Sequence, residues 1–140
     1  MVLKRAARGV SRRVARGSER GQAMVEFALI SIPLLLICFA VIQFGLVLHD
    51  YMALTHAADV GARAASVSRD QPNGVALAQN AAIASAPDLS SSNLTVTVTA
   101  QPWSAGSQIK VQATYPYSIG ILGMVVASGN LSASTTARSE

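Results

Sequence analysis

The sequence predicts an α+β protein in which a long N-terminal transmembrane helix continues into a periplasmic helix, packed on a small antiparallel sheet. Three observations predict it. From Gln22 to Leu48 the chain is almost wholly apolar, and Glu26 is the one charged residue in that run. Past Leu48, small apolar residues recur three or four positions apart to about Arg69, the period of a helix. After Pro87 the composition turns to Ser and Thr with an apolar residue at every second position, the period of a half-buried strand.

The apolar run sets the rest. At a rise of 1.5 Å per residue, residues 22–48 make a helix about 40 Å long, enough to cross a hydrocarbon core of about 30 Å with some tilt. A cleaved secretory signal has an apolar stretch of only about 7–15 residues, which fits this segment poorly. The whole chain of 140 residues is 51% hydrophobic and 13% charged, too apolar for a disordered protein. Cys38 is its one cysteine and lies inside the run, so no intramolecular disulfide can form and Cys38 reads as a small apolar residue.

Charge is divided unevenly around that helix. Residues 1–21 hold seven basic side chains (Lys4, Arg5, Arg8, Arg12, Arg13, Arg16 and Arg20) against Glu19, a net of +6. Beyond Leu48, Arg63, Arg69, Lys110 and Arg138 face Asp50, Asp59, Asp70, Asp88 and Glu140, a net of −1. A basic flank on one side only places the N-terminus in the cytoplasm and the C-terminal domain across the membrane. The leader has no apolar face for a core and reads as an unstructured segment near anionic headgroups. No aromatic residue is interleaved among its arginines, which argues against a nucleic-acid partner. Three parts follow: a basic leader 1–21, a transmembrane helix 22–48 and an extracytoplasmic α+β domain 49–140.

Within the span, Glu26 is the costly residue, although its place in the first two turns makes it cheaper than a mid-membrane carboxylate. It could simply favour a helix N-terminus. Pro33 removes one backbone hydrogen bond and should kink the helix. Gln43 is polar at membrane depth and needs a carbonyl or another subunit. Further on, Ala53, Ala57, Val60, Ala64 and Val67 make one apolar stripe, and Asp59 and Arg63 form an i,i+4 pair. Pro72-Asn73-Gly74 turns the chain, and a second helix spans residues 75–86 and stops at Pro87. Leu94–Thr99 and Ile109–Tyr115 alternate and should pair as a hairpin, with Pro116 ending the second strand. Residues 119–127 are apolar and suit packing on the sheet or a partner contact. Leu131–Arg138 reads as a third strand.

A catalytic set does not emerge. His49 and His56 lie two turns apart near Asp50 and Asp59, with no third ligand at metal spacing. The serines and threonines form strand faces without a His–Asp partner pattern. Trp103, between the first two strands, is either a cap on the sheet edge or an exposed contact anchor. Non-enzymatic chemistry is expected, with no cofactor, no metal and no small-molecule substrate.

The junction carries a family resemblance. Gly21 followed by Gln22-Ala23-Met24-Val25-Glu26-Phe27 resembles the processing site of type IV prepilins. The resemblance implies cleavage after Gly21 by a membrane-embedded prepilin peptidase, with Gln22 as the new N-terminus. Glu26 then takes the family's fifth mature position, and Phe27 resembles the aromatic of the Flp (type IVb) branch. Pro33-Leu34-Leu35-Leu36, Gln43-Phe44-Gly45, Ala53-Leu54-Thr55-His56-Ala57-Ala58 and Val60-Gly61-Ala62-Arg63-Ala64-Ala65 extend the similarity to a TadE-like minor pilin of the tight-adherence (Tad) pilus system. Its implied partners are the peptidase and other Tad pilin and assembly subunits. Its implied location is the bacterial inner membrane or the pilus, in adhesion or secretion. The alternative is an uncleaved, signal-anchored envelope protein whose outer domain binds a partner.

Overall fold

The computed structural model describes the backbone of residues 3–100, 103–121 and 123–140, and side chains from Gly21 onward. Helix α1 runs from Leu3 to Val67, α2 from Gly74 to Ala84, and three strands follow: β1 Thr95–Thr99, β2 Gln108–Ile121 and β3 Met124–Arg138. This is the expected α+β arrangement. The chain falls into two compact units, residues 1–41 and 42–140.

The first unit is helical throughout its described backbone. The leader, expected to be unstructured, is drawn into α1 from Leu3. It contains no proline, and its alanines and arginines are among the strongest helix formers. From Gly21 onward α1 has a mean hydropathy of 2.6 over its most apolar window, which makes it long and apolar enough to cross a membrane. None of that window is buried by protein. The helix also continues through Pro33, as membrane helices can.

In the second unit a sheet ordered β1-β2-β3, antiparallel throughout, packs one face on helices. Alternation decides which face. Leu94, Val96, Ile109, Val111, Ala113 and Ala133 are buried against Leu54, Ala57, Ala58, Ala62 and Ala65 of α1 and Ala78 and Ala82 of α2. Among the described residues, ten of the sixteen buried apolar ones are alanine, so helices and sheet approach closely and the few large side chains dominate the burial. Leu54, Ile109 and Val111 are the largest that are fully enclosed. Gly61 marks the closest approach: a Cβ there would lie 3.0 Å from Ala82 Cβ and 3.2 Å from Val111 Cγ1. Gln79 Nε2 donates to the Val96 carbonyl at 3.0 Å, tying α2 to β1.

Four details depart from the sequence reading. The buried stripe of α1 is Leu54, Ala57, Ala58, Gly61, Ala62 and Ala65, whereas Val67 is 66% exposed. Side-chain size chose the face, because β-branched Val60 and Val67 would hold the helix away from the sheet. Asp59 does not pair with Arg63; its Oδ1 accepts the Thr135 hydroxyl at 3.0 Å. Helix α2 ends at Ala84, ahead of Pro87. Strand β2 does not stop at Pro116 but runs to Ile121, with Pro116 opposite Asn130. Strand β1 begins at Thr95, opposite Thr114, so from Tyr115 onward β2 has one open edge, the setting in which a sheet accepts proline. Residues 119–127 thus form the far end of a two-stranded β2–β3 ribbon, with a bulge between Ile119 and Gly120.

Candidate processing and assembly site

The residues singled out at the head of the span all lie on α1. Gly21 has open space where a Cβ would sit, and every residue from Gly21 to Ile30 is exposed. Gln22 and Glu26 are one turn apart, and Gln22 Nε2 donates to Glu26 Oε1 at 3.0 Å. One helical turn therefore sets the carboxylate beside the residue expected to become the N-terminus. Met24, Val25 and Phe27 are 76%, 60% and 72% exposed, so the carboxylate, hydrogen-bonded to Gln22, sits in an exposed apolar surface. Ser31 donates its hydroxyl to the Ala28 carbonyl at 2.9 Å, a back-bond just before Pro33, whose nitrogen has no proton for the Leu29 carbonyl.

This arrangement suits association rather than catalysis. A carboxylate on an uncovered apolar helix face is costly in lipid unless a cation or donor reaches it.

The other candidates are placed apart. His49 Nε2 lies 3.8 Å from Asp88 Oδ2, both well exposed, while His56 is exposed on α1. Among the described residues no three His, Cys, Asp or Glu side chains gather as a metal site would require. Trp103 is neither an edge cap nor a free anchor: it packs on the core, its ring over Gly74, and its Nε1 is buried without a hydrogen-bond partner among the described residues. Sequence reasoning missed the Asp59–Thr135 bond, since residues 76 apart leave no local signal.

No curated protein and no solved structure matches the chain. Residues 21–63 match the model of the family described as TadE-like protein. That stretch begins at Gly21, holds Gln22, Glu26 and Phe27, and ends in the alanine-rich half of α1 that packs on the sheet; over it the chain is similar to TadE-like proteins.

Proposed function

We propose that the chain is a minor pilin, or pseudopilin, a structural and non-enzymatic subunit for assembly of a Tad (Flp, type IVb) pilus in adhesion or secretion. The observation that carries this reading is the joint placement of Gly21, Gln22 and Glu26 at the head of the span, directly after a flank of net charge +6. Cleavage after Gly21 by a prepilin peptidase removes that charge and creates an α-ammonium on Gln22. The Glu26 carboxylate of a neighbouring subunit pairs with it in an apolar bundle, where an unpaired ion of either sign is costly. Phe27 and the other exposed apolar residues of the span supply the packing surface. The N-terminus is cytoplasmic, and residues 49–140 lie on the far side of the inner membrane. No cofactor or small-molecule substrate enters this role.

The test is the intact mass of the membrane-extracted chain, expressed with and without its peptidase. Loss of residues 1–21 only when the peptidase is present is the expected result. A full-length chain in both samples overturns processing and leaves the signal-anchored envelope protein. With processing in hand, Glu26→Ala should be cut normally yet fail to co-purify with other pilus subunits.

A further inference from the structure

The far end of the β2–β3 ribbon is apolar on both faces, and among its described residues Met124, Val125 and Val126 are exposed. Met124, Val125 and Val126 are consecutive, so their side chains alternate between faces, and they are 67%, 68% and 63% exposed. From Val111 to Ala137 the chain has no charged residue. Tyr115 and Tyr117 stand on β2 between the core and this tip, with the Tyr117 ring over Gly129 of β3. A half-solvated strand would alternate apolar and polar; this ribbon does not.

Two contacts fix which way the ribbon runs. The Glu140 amide donates to the Ser66 carbonyl at 3.2 Å, and the Thr135 hydroxyl donates to Asp59 at 3.0 Å. Moving back along β3 therefore moves back along α1, toward the end of the span at Leu48. From Thr135 to Met124 a strand covers about 36 Å, whereas from Asp59 to Leu48 the helix covers only about 16 Å. A ribbon inclined to α1 by anything up to about 60° brings its tip to the level of Leu48.

We infer that the tip of the β2–β3 ribbon, Ile119, Ile121 and Met124 to Val126, is a second membrane contact, seated in the outer interface of the bilayer that α1 crosses. This inference rests on the reading of residues 22–48 as the spanning segment. Lipid is the occupant that suits apolar side chains on both faces at once, and the tyrosines sit where an aromatic belt meets headgroups. The ribbon's open edges carry unpaired backbone groups, which hold it at the headgroup–acyl boundary and out of the hydrocarbon centre. The span already tethers the domain, so the tip needs only a modest intrinsic affinity.

The full chain, reconstituted in phosphatidylethanolamine–phosphatidylglycerol vesicles, tests this with a bimane label and nitroxide-bearing lipids. Labelled at native Cys38, the chain reports on the span through deep nitroxides. In a Cys38→Ser background, Val125→Cys and, on the opposite strand, Ile121→Cys report on the tip, with Ser134→Cys as an exposed control. Both tip labels should lose roughly half their emission to shallow nitroxides while the Ser134→Cys label is unchanged. Tip labels as insensitive as the control, with the Cys38 label quenched, overturn the ribbon contact and leave the span intact. An unquenched Cys38 label overturns the span and this inference with it. Blue-shifted but unquenched tip emission that grows with protein-to-lipid ratio assigns the tip to a second protein subunit and overturns the lipid contact.

Discussion

The two halves of α1 are both apolar, both helical and continuous with each other, yet they have different neighbours. Before Leu48 the helix presents Leu, Ile, Val and Phe; Ile37, Phe44 and Leu46, for example, are 61%, 66% and 56% exposed. From Leu54 the buried positions are nearly all Ala or Gly, and Ala57, Ala58 and Ala65 are 0% exposed. The difference lies in side-chain size. Large side chains enlarge the contact with a fluid solvent such as lipid, which needs no fixed fit. Small ones let a backbone come within touching distance of a rigid sheet. One helix thus carries two kinds of surface.

The same chemical change in each half should break this comparison most visibly. Leu54→Ala removes the largest fully buried side chain of α1 and should cost the outer domain about 2–5 kcal/mol. Leu46→Ala, eight residues earlier, should move the domain by less than about 0.5 kcal/mol. Urea unfolding in detergent micelles, followed by the fluorescence of half-buried Trp103, measures both. Equal losses would mean that the two halves do not differ in their packing.

Glycine gives the reverse experiment and the next largest effect. Gly61→Leu drives a side chain into Ala82 and Val111, and overpacking of this kind costs about 1–3 kcal/mol. Gly45 has nothing within 4 Å of its would-be Cβ, so Gly45→Leu should leave the unfolding midpoint where it was. A tolerant Gly61 would show that α1 is not held as closely to α2 and β2 as their contacts indicate.

Much of this was legible in the sequence because the signals were local. The span, the turn at Pro72-Asn73-Gly74 and the alternation in Leu94–Thr99 each declare themselves within a few residues. That Gln22 and Glu26 share one helix face was legible too, since a spacing of four residues puts them one turn apart. What escaped depended on partners distant in the chain. Pro116 looks like a strand terminus until it is known that β1 begins opposite Thr114 and leaves the edge open beyond it. The stripe Ala53, Ala57, Val60, Ala64, Val67 is as hydrophobic as the one actually buried. Only the closeness of the sheet favours the smaller residues.

A smaller effect sharpens the account of how the inner half of α1, the part from Leu54 onward that packs on the sheet, is oriented. Thr135→Val and Asp59→Ala should each cost about 0.5–1.5 kcal/mol, since each deletes one half-buried hydrogen bond between β3 and α1. Because they remove the same bond, the double variant should cost little more than either single one. Arg63→Ala should be silent, and a loss there equal to that of Asp59→Ala would restore the i,i+4 pair as the partner of Asp59.

The smallest effect belongs to charge, just past the end of α1. Arg69 Nε and Nη2 donate to the two carboxylate oxygens of Asp70 at 3.0 and 3.2 Å. This hydrogen bonding first, and then the charge of the guanidinium, hold the Asp70 carboxyl below its ordinary value of 3.8 and push Arg69 up. The sign follows from the direction. A carboxyl whose folded value is depressed contributes in full above its unfolded value, and loses that contribution as pH falls through the folded one. The Arg69 contribution is lost only in strong base. Asp70 is 84% exposed, so water and salt screen the pair almost completely. Arg69→Ala should therefore barely move the urea midpoint near neutral pH, and what difference exists should vanish in acid below the folded Asp70 value. A neutral-pH loss approaching that of Leu54→Ala would mean that charge, and not the fit of small side chains against the sheet, holds the inner half of α1.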